Sequence, residues 1–302
     1  MTARGAPWLV AAAALAGCAS DHHVSPFVPV DAAALLRPMD DLPAQLARVD
    51  AEARALGLQT ASRVEGALPG GEPIVALGLV GRDLSGRVVH AVRVVTPAAI
   101  VLALGPTELG DPRRAAAPVE LVESVLPGGG FPSCRDLTGD GTPDVVARAP
   151  DGALAVYSAT RLGATRMPVA CAFSPTTATD ANADGRMDLV CRPPRDEGDP
   201  LAPELLDVAI GVGVAFDHDH PDAVAFHRDR VERRAAAPDA APDAQLRALL
   251  EVAFARVRAG EQPEEIGADL DRRAARWLVP GWREAWMRHR RAIVERARPP
   301  RR

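Results

Sequence analysis

The sequence predicts a mainly β protein, built as a meander of repeated units with one helix before it and a helical segment after it. Two observations support this prediction. From Thr60 onward, short runs of β-branched residues are separated by Gly, Asp and Pro. An acidic nine-residue pattern occurs twice, starting at Asp136 and at Asp180, a spacing of 44 residues. A period of this size, with one supersecondary unit per repeat, is typical of repeat arrays and propellers.

Length and charge set the limits of the prediction. With 302 residues, of which 47% are apolar, the chain can bury one large core or two modest ones. Residues 272–302 hold 11 Arg against Glu284 and Glu295, a net charge of +9, whereas the whole chain has −5. An acidic body is therefore followed by a basic tail. Because the sequence contains no Lys, we attribute part of the Arg excess to base composition.

The N-terminus has the features of an export signal. A charged start precedes an apolar stretch, residues 8–16, that is too short to span a bilayer and ends in Leu15-Ala-Gly-Cys18. This segment resembles the lipobox of bacterial lipoproteins, in which the Cys becomes the acylated first residue of the mature protein. The resemblance implies a signal peptide (1–17), attachment to a membrane through lipid on Cys18 and, since Ala19 rather than Asp follows, the outer membrane. An ordinary secretory signal is the alternative.

Composition divides the rest of the chain into four parts. These are a Pro-punctuated tether (18–38), a helix plus the β-repeat domain (39–232), a linker rich in Ala, Pro and Asp (233–244) and a C-terminal helical segment (245–302). Asp41 as N-cap and Gly57 as terminator bound the first helix. Two apolar stripes at helical spacing predict the last helices: Leu246, Leu249, Leu250, Ala253, Phe254 and Val257, then Trp282, Trp286, His289 and Ile293.

Eight runs are predicted to be strands: Ile74–Val80, Val88–Val95, Ala98–Leu104, Val145–Arg148, Ala153–Tyr157, Met167–Phe173, Leu189–Cys191 and Leu205–Gly213. We interpret the last run as the strand of a third unit whose acidic loop, Arg195–Asp199, has decayed. The turn Arg82–Gly86 is either a hairpin turn, which we favour, or a degenerate copy of the acidic pattern.

The two acidic loops are Asp136-Leu-Thr-Gly-Asp-Gly-Thr-Pro-Asp144 and Asp180-Ala-Asn-Ala-Asp-Gly-Arg-Met-Asp188. Each has oxygen-bearing side chains at positions 1, 3, 5 and 9 and a Gly at position 6. Ca²⁺ takes about six to eight oxygen ligands, which alternate residues of a tight loop can supply. The predicted ligands are the side chains of Asp136, Thr138, Asp140, Asp144, Asp180, Asn182, Asp184 and Asp188 and the backbone carbonyls of Thr142 and Arg186. Solvated Asp-Gly turns are the alternative.

These loops resemble the FG-GAP and VCBS-type repeats of integrin-like β-propellers, whose Asp-x-Asn-x-Asp-Gly-x-x-Asp loops bind calcium between strands. The resemblance covers about residues 125–215 and implies a β-propeller-like fold with two calcium sites. The first loop departs from the pattern at Thr138, where Asn or Asp is usual. Because a hydroxyl is the weaker donor, we expect the second loop to bind calcium more tightly.

Three cysteines remain once Cys18 is assigned to lipid, namely Cys134, Cys171 and Cys191. An exported chain permits one disulfide and one leftover thiol, in three possible pairings. We favour Cys171 with Cys191 because they bracket the second acidic loop. The alternative is that all three are buried and reduced.

A His/Asp cluster, Asp217-His-Asp-His-Pro-Asp222 with His227 nearby, is the other candidate metal site, of a type suited to zinc. Its spacing matches no closed structural site, so we favour a solvated polar loop. The Arg-rich tail is either the solvent-exposed face of a helix, which we favour, or a surface that binds anionic lipid or an acidic partner.

The sequence contains no nucleophile elbow, phosphate-binding Gly loop, His-Glu-x-x-His or Cys-x-x-Cys motif. We therefore expect a binding or interaction module of the cell envelope, with a protein or glycan partner and no nucleic acid, rather than an enzyme. Two alternatives stay open. One is a metal-dependent hydrolase that uses the cluster at 217–227, and the other is a purely structural envelope protein.

Overall fold

The structure, a computed structural model, describes residues 41–83, 85–106, 119–194, 196, 198–234 and 240–296. About 30% of the chain is helix and 29% is strand, so the fold is mixed. The expected N-terminal helix, antiparallel strands and C-terminal helical segment are present, but the fold is mixed rather than mainly β. The two helices that the sequence analysis did not predict both lie after the last strand. All described residues belong to one compact unit, Pro38–Arg302.

Twelve strands in the described residues form three antiparallel four-stranded sheets, each with its strands in chain order. The first sheet contains β1 (Leu58–Ala67), β2 (Pro73–Arg82), β3 (Val88–Val95) and β4 (Ile100–Leu104). The second contains β5 (Glu120–Leu121), β6 (Asp144–Arg148), β7 (Leu154–Ala159) and β8 (Ala164–Arg166). The third contains β9 (Pro175–Thr179), β10 (Asp188–Cys191), β11 (Asp207–Gly211) and β12 (Phe216–Asp217). No closed barrel is present in this part of the chain.

The helix α1 (Leu42–Ala55) confirms the predicted N-terminal helix. The Asp41 side chain accepts a hydrogen bond from the backbone N–H of Ala44 (2.9 Å), which satisfies one of the free donors of the first turn. After the helix, Gly57 adopts a left-handed conformation (φ 69°). The buried guanidinium of Arg93 in β3 donates to Glu52 of α1 (2.6 Å) and holds the helix on the first sheet.

Both faces of β2 are buried, which explains why its sequence is a continuous run of apolar residues. Val75, Leu77 and Leu79 pack under α1, whereas Ile74 and Ala76 pack against the second sheet. A central strand covered on both faces buries both sets of side chains, which alternate with a period of two. A further core lies between the second and third sheets.

Most predicted strands are confirmed, but two interpretations were wrong. The run Met167–Phe173 is not a strand. It lies between β8 and β9 and makes one parallel bridge, from Val169 to Phe216. The run Leu205–Gly213 contains β11, which pairs with β10 in the same sheet and is not part of a separate third unit. The turn Arg82–Gly86 joins β2 to β3 as a hairpin, as favoured.

The C-terminal part contains α2 (Pro221–Arg233), α3 (Pro242–Arg258), α4 (Pro263–Ala274), a 3-10 turn (Pro280–Trp282) and α5 (Arg283–Arg296). The two predicted apolar stripes lie on α3 and on the 3-10 turn with α5. Their buried members form one core with Leu201 and Leu205, which precede β11. His289, the polar member of the second stripe, contacts the carboxylate of Asp199 (2.8 Å). The helices α2 and α4 were not predicted.

Candidate functional site

Each acidic loop leads directly into the second strand of its sheet. The first loop (Asp136–Asp144) ends at the first residue of β6, and the second loop (Asp180–Asp188) ends at the first residue of β10. The two loops therefore occupy the same place in two sheets of the same topology. This equivalence is what a repeat with a period of 44 residues requires.

The two loops turn in the same way. The glycines at the sixth position, Gly141 and Gly185, have φ of 85° and 82°. The residues at the fourth position are also left-handed, with φ of 78° at Gly139 and 60° at Ala183. Side chains with a Cβ rarely adopt this region, which explains the Gly at position 6 in both copies.

The first-position aspartates close the turn in both loops. The Asp136 carboxylate accepts from the backbone N–H of Gly141 (3.1 Å), and the Asp180 carboxylate accepts from that of Gly185 (2.9 Å). A second oxygen of each accepts one more backbone N–H from within the loop. These bonds fix the position of the Asp136 and Asp180 carboxylates within their loops.

The fifth-position aspartates are held by the seventh residue. Asp140 Oδ1 accepts from the N–H of Thr142 (2.7 Å), and Asp184 Oδ1 accepts from the N–H of Arg186 (2.8 Å). Thr142 and Arg186, whose carbonyls are predicted ligands, thus lie next to a carboxylate in each loop. Ser158 of β7 also donates to Asp140 Oδ2 (2.9 Å).

The ninth-position aspartates are buried. Asp144 and Asp188 have 0% and 1% of their surface exposed. In each, Oδ2 accepts from the N–H of the second loop residue, Leu137 (2.9 Å) or Ala181 (2.8 Å). In Asp188, Oδ1 also accepts a backbone N–H, that of Gly211 (2.9 Å).

Asp144 differs from Asp188 in one respect. Its Oδ1 is buried and has no hydrogen-bond partner in the described part of the chain. Burial raises the pKa of Asp144 to about 7, and the charge of Asp140 adds to the rise, whereas hydrogen bonds from Leu137 and Thr138 oppose it. Burial is also the main reason why the pKa of Asp188 is raised. Both carboxylates are therefore costly to ionise without a cation.

The third-position side chains differ between the loops. Thr138 is buried, and its hydroxyl lies 3.2 Å from Asp144 Oδ2, to which it donates. Asn182 donates from its amide to Asp184 Oδ2 (3.2 Å) and to Asp222 Oδ2 (3.0 Å). In the first loop, the hydroxyl of Thr138 therefore bonds to the carboxylate of Asp144. In the second loop, the amide of Asn182 bonds instead to two other carboxylates, those of Asp184 and Asp222.

No Arg or His nitrogen of the described residues lies within 4.0 Å of the loop carboxylates, which are those of Asp136, Asp140, Asp144, Asp180, Asp184 and Asp188. In the same residues, no group of three or more His, Cys, Asp or Glu side chains is arranged to hold a metal ion. The carboxylates accept hydrogen bonds from backbone N–H groups instead. Within the described residues, none of these carboxylates is in an ion pair.

The loops also contact each other. The backbone N–H of Met187 donates to the carbonyl of Leu137 (2.7 Å). The Arg186 guanidinium lies so close to Gly139 that a Cβ there would come within 2.5 Å of its Cζ. Leu137 and Met187 are both buried in the core between the second and third sheets. The loops are therefore anchored to the same core.

The predicted His/Asp cluster does not form one group. His227 is fully buried, and its Nε2 lies 3.1 Å from Asp207 Oδ1, to which Arg258 donates from Nε (3.0 Å). His218 Nδ1 lies 3.4 Å from Asp207 Oδ2. Burial disfavours ionisation of Asp207, but the bonds from His218 and His227 and the charge of Arg258 hold its pKa well below the usual range. The buried carboxylate of Asp207 is therefore paired with a cation that the protein itself supplies.

The other members of the cluster do not contact Asp207. His220 is the N-cap of α2, and its Nδ1 accepts from the N–H of Asp222. The backbone N–H of Asp219 donates to Asp217 Oδ1 (2.9 Å) at the surface, and Asp219 Oδ1 lies 3.5 Å from His218 Nε2. The expectation of a solvated loop was therefore wrong for His227. Sequence reasoning missed Asp207 and Arg258, although a carboxylate within the apolar run Leu205–Gly213 is a signal of a buried charge that needs a partner.

Cys171 and Cys191 form a disulfide, which is the pairing favoured above. It joins the segment before β9 to the end of β10 and so closes a stretch of chain around the second loop. Cys134 is a free, buried cysteine, and burial raises the pKa of its thiol to about 12. The thiol is therefore protonated at physiological pH.

The predicted lipidation site, Cys18, lies outside the described residues. Among the helices that are described, none has the length and the apolar character needed to cross a membrane. Comparison of the chain with protein-family models, with curated proteins and with solved structures found no match.

Proposed function

We propose that this chain is a cell-envelope lipoprotein whose β-repeats are stabilised by two calcium ions and serve as a binding or interaction module. In this proposal, the ions are held by the loops Asp136–Asp144 and Asp180–Asp188, and lipid on Cys18 attaches the protein to the outer membrane. The module would bind a protein or glycan rather than nucleic acid.

One observation carries the calcium proposal. Asp144 is fully buried, its Oδ1 has no hydrogen-bond partner, and no described cation lies within 4.0 Å of it. An isolated buried carboxylate is costly to ionise, whereas a bound cation would favour its charged form. Asp207 provides the contrast within the same protein, because its buried carboxylate contacts Arg258 (3.0 Å).

The donor atoms of the two loops are of the type that a hard divalent cation prefers. The carboxylates at positions 1, 5 and 9 supply oxygen, which is the ligand type that calcium prefers. Hydrogen bonds from backbone N–H groups to Asp136 and Asp180 stabilise the conformation of the two loops. A bound ion would offset the negative charge of these carboxylates. To bind it, some of the carboxylates would have to exchange a backbone N–H for the ion.

The arrangement of the sheets supports the propeller-like part of the proposal. Three four-stranded antiparallel sheets follow one another along the chain. In the second and third sheets, the acidic loop comes before the second strand and ends in a buried Asp. Such sheets are the units from which propellers of FG-GAP and VCBS type are built, as the resemblance of the loops implies.

Calorimetric titration of the purified protein with calcium tests the proposal directly. We expect two binding events, one of which is lost in Asp144→Asn and the other in Asp188→Asn. Extracellular calcium modules have dissociation constants of about 10⁻⁴–10⁻³ M, so the titration has to reach millimolar calcium. No heat of binding in that range would contradict the proposal.

Two further measurements separate the remaining parts of the proposal. Metabolic labelling with a fatty-acid analogue should mark the wild type and not Cys18→Ala, and the label should fractionate with the outer membrane. Partner capture with and without a chelator distinguishes an interaction module from a purely structural protein. Chelation that lowers thermal stability but leaves capture intact would favour the structural alternative.

A further inference from the structure

A cavity of about 530 Å³ lies among three helices of the C-terminal part. The end of α2, one side of α3 and the end of α4 form its walls, and none of the described residues that line it belongs to an acidic loop. Its volume is within the range of about 300–1,000 Å³ that is usual for small-molecule sites. The cavity is therefore a candidate binding site that is separate from the proposed calcium sites.

One side of the cavity is apolar. Val231 of α2 and Leu249 and Val252 of α3 line it, together with Trp277, which follows α4. Val231, Val252 and Trp277 are only partly buried, so the protein leaves some of their apolar surface uncovered. Removal of such surface from water by an apolar ligand is favourable. This side of the cavity suits an apolar chain.

Arginine dominates the polar side of the cavity. Four guanidinium groups and two carboxylates line it, which leaves a surplus of two positive charges. The residues are Arg234, Arg256, Arg273, Arg276, Glu232 and Asp269. Arg234 and Arg256 are each paired with a carboxylate outside the lining, that of Glu251 (2.6 Å) or Glu261 (2.7 Å). The surplus therefore lies on Arg273 and Arg276.

The charge of Arg273 is only weakly compensated within the protein. Asp269 Oδ2 lies 3.8 Å from Arg273 Nη1 and already accepts from Arg256 (2.8 Å). Asp269 Oδ1 also accepts from Arg272 (3.4 Å). One carboxylate is thus shared by three guanidinium groups, and Arg273 has 54% of its side chain exposed. The N–H groups of Arg273 are therefore available to another anion.

Arg276 is held in place without a carboxylate. Its Cζ lies 3.7 Å from the ring centroid of Trp277, which is a cation–π contact. Among the described residues, no carboxylate lies within 4.0 Å of its guanidinium. A guanidinium that stacks on an aromatic ring keeps its N–H donors at the edge of its plane. Arg276 therefore offers a pre-oriented set of donors beside the apolar side of the cavity.

We propose that this cavity binds a free fatty acid, with the carboxylate at Arg273 and Arg276 and the alkyl chain against Val231, Leu249 and Val252. A carboxylate and a guanidinium form charge-assisted, often bidentate hydrogen bonds, which suit the uncompensated arginines. The apolar side requires a ligand that also has an apolar chain. The site goes beyond the proposed interaction module and does not depend on calcium.

Calorimetric titration of the full protein with decanoate tests the site. A chelator is present throughout, so the calcium loops play no part. Acetate supplies the carboxylate without the chain, and decanol supplies the chain without the charge. We expect saturable binding of decanoate that is about tenfold or more tighter than that of either analogue. Equal binding of acetate or decanol, or no saturable binding of decanoate, would overturn the proposal.

A pair of double variants identifies the residues that hold the carboxylate. Arg273→Gln/Arg276→Gln should weaken decanoate binding about tenfold or more. The matched control, Arg228→Gln/Arg283→Gln, removes the same charge from two exposed arginines that do not line the cavity, and it should bind decanoate like the wild type. An equal loss of affinity in both variants would indicate a general effect of net charge and would overturn the assignment of the site.

Discussion

Replacing Asp144 with Asn should change the stability of the protein in opposite directions in the absence and presence of calcium. In the calcium-free protein, the buried carboxylate has no cation partner, so its ionised form is destabilising. Asn keeps a carbonyl oxygen to accept the N–H of Leu137 and carries no charge. In the calcium-bound protein, the same substitution removes a ligand.

The magnitude follows from the raised pKa. A shift from 3.8 to about 7, at about 1.4 kcal/mol per unit, makes the ionised form about 4 kcal/mol less favourable in the folded protein. The new amide nitrogen takes the place of buried Oδ1 and has no acceptor, which costs about 2 kcal/mol. In a chelator at pH 8, we therefore expect Asp144→Asn to be about 2 kcal/mol more stable than the wild type.

The pH dependence has a defined sign. Because the folded pKa of Asp144 is above the unfolded value, its contribution to stability is fully present below pH 3.8 and is lost as the pH rises through about 7. In the chelator, the Asn variant should therefore be the less stable protein at pH 4 and the more stable one at pH 8. At free calcium about 100 times the dissociation constant, binding adds about 2.7 kcal/mol to the wild type, which reverses the order at pH 8.

Urea denaturation at pH 4 and pH 8, with calcium or with a chelator, measures these four conditions. Asp136→Asn is the control, because Asp136 is exposed and the substitution removes a ligand without relieving a buried charge. It should lower stability in calcium and give no gain in the chelator. Equal stability of the wild type and Asp144→Asn in the chelator at pH 8 would refute the reasoning.

Three other predictions concern the disulfide, the buried ion pair and the order of the two sites. The double variant Cys171→Ala/Cys191→Ala should lose about 3 kcal/mol of unfolding free energy, since the bridge closes a loop of 20 residues. Arg258→Ala leaves its buried carboxylate partner in β11 without a cation and should cost about 3–5 kcal/mol in urea denaturation. In calcium titrations, Asp140→Ala should retain the tighter site and Asp184→Ala the weaker one.

A different result would contradict each of these three predictions. The wild type under reducing conditions should match the double cysteine variant, and a difference would point away from the disulfide. Arg233→Ala, which breaks an exposed pair with Asp229, should cost no more than about 1 kcal/mol, and an equal loss in Arg258→Ala would contradict the importance of burial. Equal residual affinities in the two loop variants would contradict the ordering of the sites.

Local signals in the sequence were reliable where a single segment determines its own conformation. The cap at Asp41 and the terminator Gly57 predicted α1, and the apolar stripe of α3 predicted its buried face. The loops belong to the same class, because the bonds from Gly141 to Asp136 and from Gly185 to Asp180 lie within nine residues of chain.

Errors arose where an element depends on its partners. Met167–Phe173 has the composition of a strand, but its backbone has no neighbouring strand to pair with over its length. The helices α2 and α4 have polar sequences, which hid them from an analysis of apolar spacing. Pro221 and Pro263, each at the first helical position, were the signals that could have found them.

The sequence alone determined the two nine-residue loops, their spacing and the type of oxygen that they offer, since these depend on contacts between near neighbours. The tertiary structure decided which of those oxygens are buried, because burial of Asp144 and Asp188 requires sheets assembled from distant segments. It also brought Asp222 to Asn182 across 40 residues and Arg258 to Asp207 across 51. Long-range packing selects such pairs, and no local pattern in the chain specifies them.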